Sequence, residues 1–171
     1  MSKRIKNFLA AMAIVALGTA PALAGPAEIE LLSSYIGNWR GQGVVSGSDT
    51  PESFTCRLTI AKGNSGKVNY TGRCTLVDAN LSISGTIAYN DDGSRYEAVM
   101  SSNAGYTGTA VGRIQGGRID FDLRERQKDR SGSDVRIGSR IVLVNDQITV
   151  DFEIEFNNSG EVLTASVPFS R

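Results

Sequence analysis

Across 171 residues, 18 lysines and arginines balance 18 aspartates and glutamates, and there is no histidine. The missing imidazole excludes Ser-His and Cys-His nucleophilic machinery and histidine-held zinc. The absence of a basic excess argues against a nucleic-acid partner.

Residues 1–24 read as a secretory leader. Lys3, Arg4 and Lys6 open it, Phe8 to Ala20 form an apolar run too short to span a bilayer, and Ala22-Leu23-Ala24 is a small-residue cleavage signal. No cysteine follows the cut and no later apolar run approaches transmembrane length, so the expectation is a soluble periplasmic chain with no integral membrane span. Removing the leader's three basic residues leaves an acidic excess of three, and residues 25–171 are a length that makes one domain.

Pro26 to Tyr35 predicts a short helix, with proline in the first turn and Ile29, Leu32 and Ile36 at helical spacing; Gly37 ends it. Trp39 to Val45 is extended, and Gly41 and Gly43 allow it to bend or approach another backbone. Phe54 to Val77 is a hairpin whose arms alternate apolar and polar residues about a turn near Ser65. That centre pairs Ile60 with Tyr70, Leu58 with Gly72, Cys56 with Cys74 and Phe54 with Leu76. The two cysteines then face each other on the buried side of adjacent strands. In an exported chain they read as a disulfide that staples the fold.

The same alternation continues through Leu81–Tyr89, Tyr96–Met100, Tyr106–Ile114, Ile119–Leu123, Val135–Leu143, Ile148–Phe156 and Val162–Phe169. Turns fall at Asn90–Gly93, Ser101–Asn103, Gln115–Gly117, Asn145–Asp146 and Asn158–Gly160, and a charged loop at Glu125–Asp134. About ten strands with short links predict an all-β fold: an antiparallel up-and-down barrel with a short N-terminal helix, closed because closure removes exposed edges.

The run Ile36-Gly37-Asn38-Trp39-Arg40-Gly41-Gln42-Gly43, placed after a short helix and before a meander, resembles the calycin superfamily. The strand count and the Trp-Arg-Gly-x-Gly run are more similar to its nitrobindin and fatty-acid-binding branches than to an eight-stranded lipocalin. The resemblance implies that Gly37 and Trp39 are structural, with the indole closing one end of the barrel. It also implies a late arginine packed over that ring, a role open to Arg171 or Arg140. Nitrobindins hold haem through a histidine; this chain has none, so the haem function does not transfer and no cofactor is expected.

On a closed sheet, Tyr70, Tyr89, Tyr96, Met100, Tyr106, Phe121, Phe152 and Phe156 point inward among glycine, alanine and serine. Such a mixture either interdigitates as a solid core or lines a cavity for one apolar ligand. Asp120, Asp122, Asp151, Glu153 and Glu155 alternate with the apolar face and read as a solvated outer surface, and Arg124 to Arg136 as an exposed hairpin tip. No catalytic or metal-binding constellation is present in the sequence. The expected function is therefore non-enzymatic binding of a small apolar or amphipathic molecule inside the barrel. The alternative is a filled barrel acting on an envelope protein partner, as an inhibitor of a secreted hydrolase or an envelope-maintenance factor.

Overall fold

The computed structural model describes residues 24–129 and 131–171. The leader's Met1–Leu23 lie outside the described residues. Helix α1 (Ala24–Ser33) precedes ten strands: β1 (Gly37–Ser46), β2 (Glu52–Lys62), β3 (Val68–Thr75), β4 (Asn80–Asn90), β5 (Arg95–Ser102), β6 (Thr107–Gln115), β7 (Arg118–Lys128), β8 (Asp134–Val144), β9 (Gln147–Phe156) and β10 (Val162–Ser170). Each strand pairs antiparallel with the next in sequence, and β1 pairs with β10, so the sheet is a closed barrel. The expected ten-stranded barrel is the observed fold. The helix starts two residues earlier than its sequence pattern indicates, and Ser34 and Tyr35 continue it only as a tightened turn bonded to Leu31 and Leu32.

The strands form because inward and outward residues alternate, as the burial along β2 shows: Phe54, Cys56, Leu58 and Ile60 are buried and the residues between them exposed. Tight turns close the hairpins at the end where β1 begins. Gly116-Gly117 and Asn145-Asp146 both take left-handed backbone at two successive positions, the geometry that matches the twist of a two-residue hairpin.

The β2–β3 register is the one read from the sequence as far as Thr55–Thr75, and it places Cys56 opposite Cys74 in a disulfide. Phe54 and Leu76 do not pair. Beyond Thr75 the chain turns, with the Leu76 amide donating to the Ala79 carbonyl, and the ladder stops. A second difference is larger: Glu125 to Lys128 are strand, not loop. The ladder runs through Glu125–Ile137, Arg126–Arg136, Gln127–Val135 and Lys128–Asp134, so the pairing extends to Lys128 and Asp134. Arg126 and Lys128 take the outward positions there, and Glu125 and Gln127 the inward ones.

Helix α1 plugs the end marked by Trp39. Leu32 and Tyr35 are buried beneath the barrel, and the Trp39 indole donates to the Tyr35 carbonyl at 3.0 Å. Above it, Val68, Tyr96, Ile119, Leu143 and Ile148 form a floor with almost no solvent exposure.

Candidate functional site

The inner wall changes character along its length. Near the floor, bulky side chains lie across glycines: the Phe121 ring covers Gly112, and the Tyr70 ring covers Gly85. A Cβ at Gly85 would meet the Val99 carbonyl oxygen at 1.9 Å and the Tyr70 hydroxyl at 2.5 Å, so that space is fully occupied. Toward the other end, the inward residues of β9 and β10 (Val150, Phe152, Ile154 and Phe156; Leu163 and Ala165) are only half-buried, as are Met100 and Tyr106. Solvent reaches an apolar inner wall there, and that end is the candidate binding site.

The residues nominated from sequence divide by depth. Tyr96 and Phe121 belong to the packed floor, with exposures of 0% and 1%. Their rings are 6.1 Å apart, Tyr89 meets Tyr96 edge-on at 5.0 Å, and the Tyr96 hydroxyl donates to the Glu28 carbonyl of α1 at 2.9 Å. Tyr70, over Gly85, donates to the Val99 carbonyl at 3.0 Å. Burial pushes its phenol up to about 12, because the phenolate loses its hydration. Met100, Tyr106 and Phe152 occupy the accessible upper wall. At the floor, the Arg171 guanidinium sits 4.5 Å from the Trp39 ring centre. Arg140 lies elsewhere, on the outer face, bonded to Asp120 at 3.2 Å.

Three of the outward carboxylates are engaged with arginines or a hydroxyl. Arg118 and Arg140 both bond Asp120, Arg136 bonds Glu155, and Ser166 donates to Asp151. The hydrogen bond from Arg118, helped by Arg140, holds the Asp120 carboxyl below its usual range.

One feature of the site escapes the sequence reading. The ladder between β6 and β7 ends at Val111–Asp122, and above that point the two strands separate. The Gln127 side chain crosses the separation, its amide donating to the Thr107 carbonyl and its oxygen accepting from the Thr107 amide. A cavity of about 610 Å³ lies at this split. It is lined by Val99, Met100, Thr107, Gly108, Thr109, Glu125 and Gln127, and the Leu123 and Glu125 side chains pack against Gly108 at its inner side. Glu125 and Gln127 were hidden by the charge around them. The signal that finds them is their parity with Ile119, Phe121 and Leu123 on the same strand.

The fold is similar to two solved structures. The crystal structure of Rv2717c from M. tuberculosis superposes with a TM-score of 0.67 at 17% identity, over 84% of this chain and 96% of that one. The S-type phycobiliprotein lyase CPES from Guillardia theta superposes with a TM-score of 0.54 at 14% identity, over 85% and 90%. No curated protein matches the chain. A family profile, described as a THAP4-like, heme-binding beta-barrel domain, matches residues 28–167. On that match, and with the ten-stranded calycin-like barrel it accompanies, the chain belongs to the THAP4-like heme-binding β-barrel family.

Proposed function

We propose that this protein is an exported binding protein, not an enzyme, that takes a small apolar or amphipathic molecule into the open half of its barrel. The observation that carries the reading is the half-buried apolar wall of β9 and β10, continuous in ladder register around a barrel whose other half is solid. An apolar wall reached by water gains free energy when a ligand covers it, at about 25 cal/mol per Å². The cavity at the β6–β7 split adds one carboxylate, Glu125, which suits a ligand with one polar end.

The family description names haem, but this barrel lacks a histidine to hold its iron, and two of its inward tyrosines are unsuited to replace one. There is no histidine, and both cysteines are consumed in the disulfide. The Tyr70 hydroxyl is spent on the Val99 carbonyl, with a phenol pushed up to about 12, and the Tyr96 hydroxyl is spent on Glu28. A tyrosinate ligand is therefore disfavoured at both. The expected ligand binds by apolar contact and a polar end group.

Export is supported by the leader-like residues 1–24 and by the Cys56–Cys74 bridge, which persists in oxidising compartments. The absence of enzymatic activity is supported by the outer-face carboxylates Asp120, Asp151 and Glu155, which are taken up by arginines and a hydroxyl.

Native mass spectrometry of protein purified without detergent tests the binding reading, followed by organic extraction and a titration with hemin. The expected result is an adduct that leaves on extraction, with hemin producing no Soret band of a protein-ligated iron. An apo mass together with no uptake of an apolar fluorescent probe would favour a filled barrel acting on a protein partner.

A further inference from the structure

The outer face of β1, β2 and β3 carries three arginines in one row. The register sets Arg40 opposite Arg57 and Arg57 opposite Arg73, and all three are exposed. Strands lie about 4.8 Å apart, so three positive charges fall within roughly 10 Å. Like charges directly opposite each other across strands are destabilising, and no ion pair among the described residues offsets them. The ion pairs among the described residues engage Arg95, Arg118, Lys128, Arg136, Arg140 and Arg171, and none involves this row. Two residues to either side along the three strands stand Asn38, Gln42, Thr55, Thr59, Thr71 and Thr75, all uncharged.

A groove of about 570 Å³ starts at Arg57 and Arg73 and extends over β4 and β5, where Ser82, Ser84, Ser101 and Asn103 line it. No carboxylate lines it. The face thus offers concentrated positive charge at one end and hydroxyl and amide groups along the rest. By ladder position, no aromatic side chain faces outward on β1 to β5, so the stacking platform that single-stranded nucleic acids use is missing.

We infer that this face binds an anionic carbohydrate, with its acidic groups on the Arg40–Arg57–Arg73 row and its hydroxyls along the groove. Arginine suits the acidic end because its planar fork matches carboxylate and phosphate oxygens two at a time. The length of one sugar ring is close to a strand spacing, so successive acidic sugars meet successive arginines. The site lies outside the barrel and is independent of the ligand proposed within it.

Isothermal titration of the protein with trigalacturonic acid, and separately with glucose 1,6-bisphosphate, tests the inference. At least one should bind, with the tighter one identifying the acidic group, and the neutral maltotriose should not. The double variant R57Q/R73Q should bind at least tenfold more weakly while its thermal midpoint does not fall, because the change relieves repulsion on an exposed face. Failure of both acidic sugars to bind, equal binding of maltotriose, or unchanged affinity in the double variant overturns the inference. Tighter binding of an oligouridylate or of phosphatidylglycerol vesicles also overturns it, since it would mark attraction to charge alone.

Discussion

Arg171 lies over Trp39, with the guanidinium carbon 4.5 Å from the ring centre, and it also donates to the Ser34 carbonyl at the end of the helix. One side chain from beyond β10 therefore holds together the start of β1 and the plug beneath it. Asp146, at the β8–β9 turn, approaches the same guanidinium at 3.6 Å. Replacing Arg171 with alanine should cost about 0.5–1 kcal/mol for the ring contact at a partly exposed site, measured by urea unfolding. Lysine should restore only part of it. Trp39 fluorescence should be blue-shifted and resist iodide in the parent, and become quenchable in Arg171→Ala.

Cys56 and Cys74 are ladder partners with Cα atoms 4.0 Å apart. Alkylation of the denatured, unreduced protein should add no label. The double variant Cys56→Ala with Cys74→Ala should lose on the order of 2–4 kcal/mol, mainly by freeing the unfolded chain. Labelling at both positions without reduction would contradict the bridge.

Gly85 and Gly138 make a paired test of barrel packing. At Gly85 a methyl group would meet backbone and ring atoms within 2.6 Å, whereas at Gly138 the nearest atom is the Glu153 Cβ at 3.8 Å. Gly85→Ala should destabilise by about 3 kcal/mol through overpacking. Gly138→Ala should be neutral or slightly stabilising. Equal effects at the two positions would show that the lower barrel is not solid.

Alkali should weaken the fold through its buried phenols. The Tyr70 phenol is pushed up from 10.0 to about 12 by burial, and burial also raises Tyr96, aided by the nearby Glu28. A raised phenol keeps its proton in the folded state while the unfolded state loses it. Stability from these groups is therefore complete below pH 10 and declines as pH rises from 10 towards 12 and beyond. Spectrophotometric titration at 295 nm should show late-ionising tyrosines, and Tyr70→Phe should remove one of them.

How far the sequence could be read is clearest at two hairpins. In β2 and β3 the apolar alternation and a turn centred on Ser65 specify the register, because a slip of one residue would turn every core side chain to solvent. Cys56 then has to meet Cys74. In β7 the same alternation continues through Glu125 and Gln127, but their polarity conceals it and the stretch resembles a loop. The candidate site was legible to a similar extent. Period two identifies which rings point inward, yet depth along the barrel depends on which end α1 closes. Tyr96 and Phe152 look equivalent in sequence, although one is sealed in the floor and the other lines the accessible wall.

The split between β6 and β7 has a meaning for the protein's behaviour at high concentration. A closed barrel has no free edge and so gives another chain nothing to extend. Above Val111 and Asp122, however, the facing sides of β6 and β7 are not joined by the ladder, and Gln127 occupies Thr107's backbone groups with its side chain. With both of those groups taken, an incoming segment would find no free backbone pair at Thr107 to begin a new ladder.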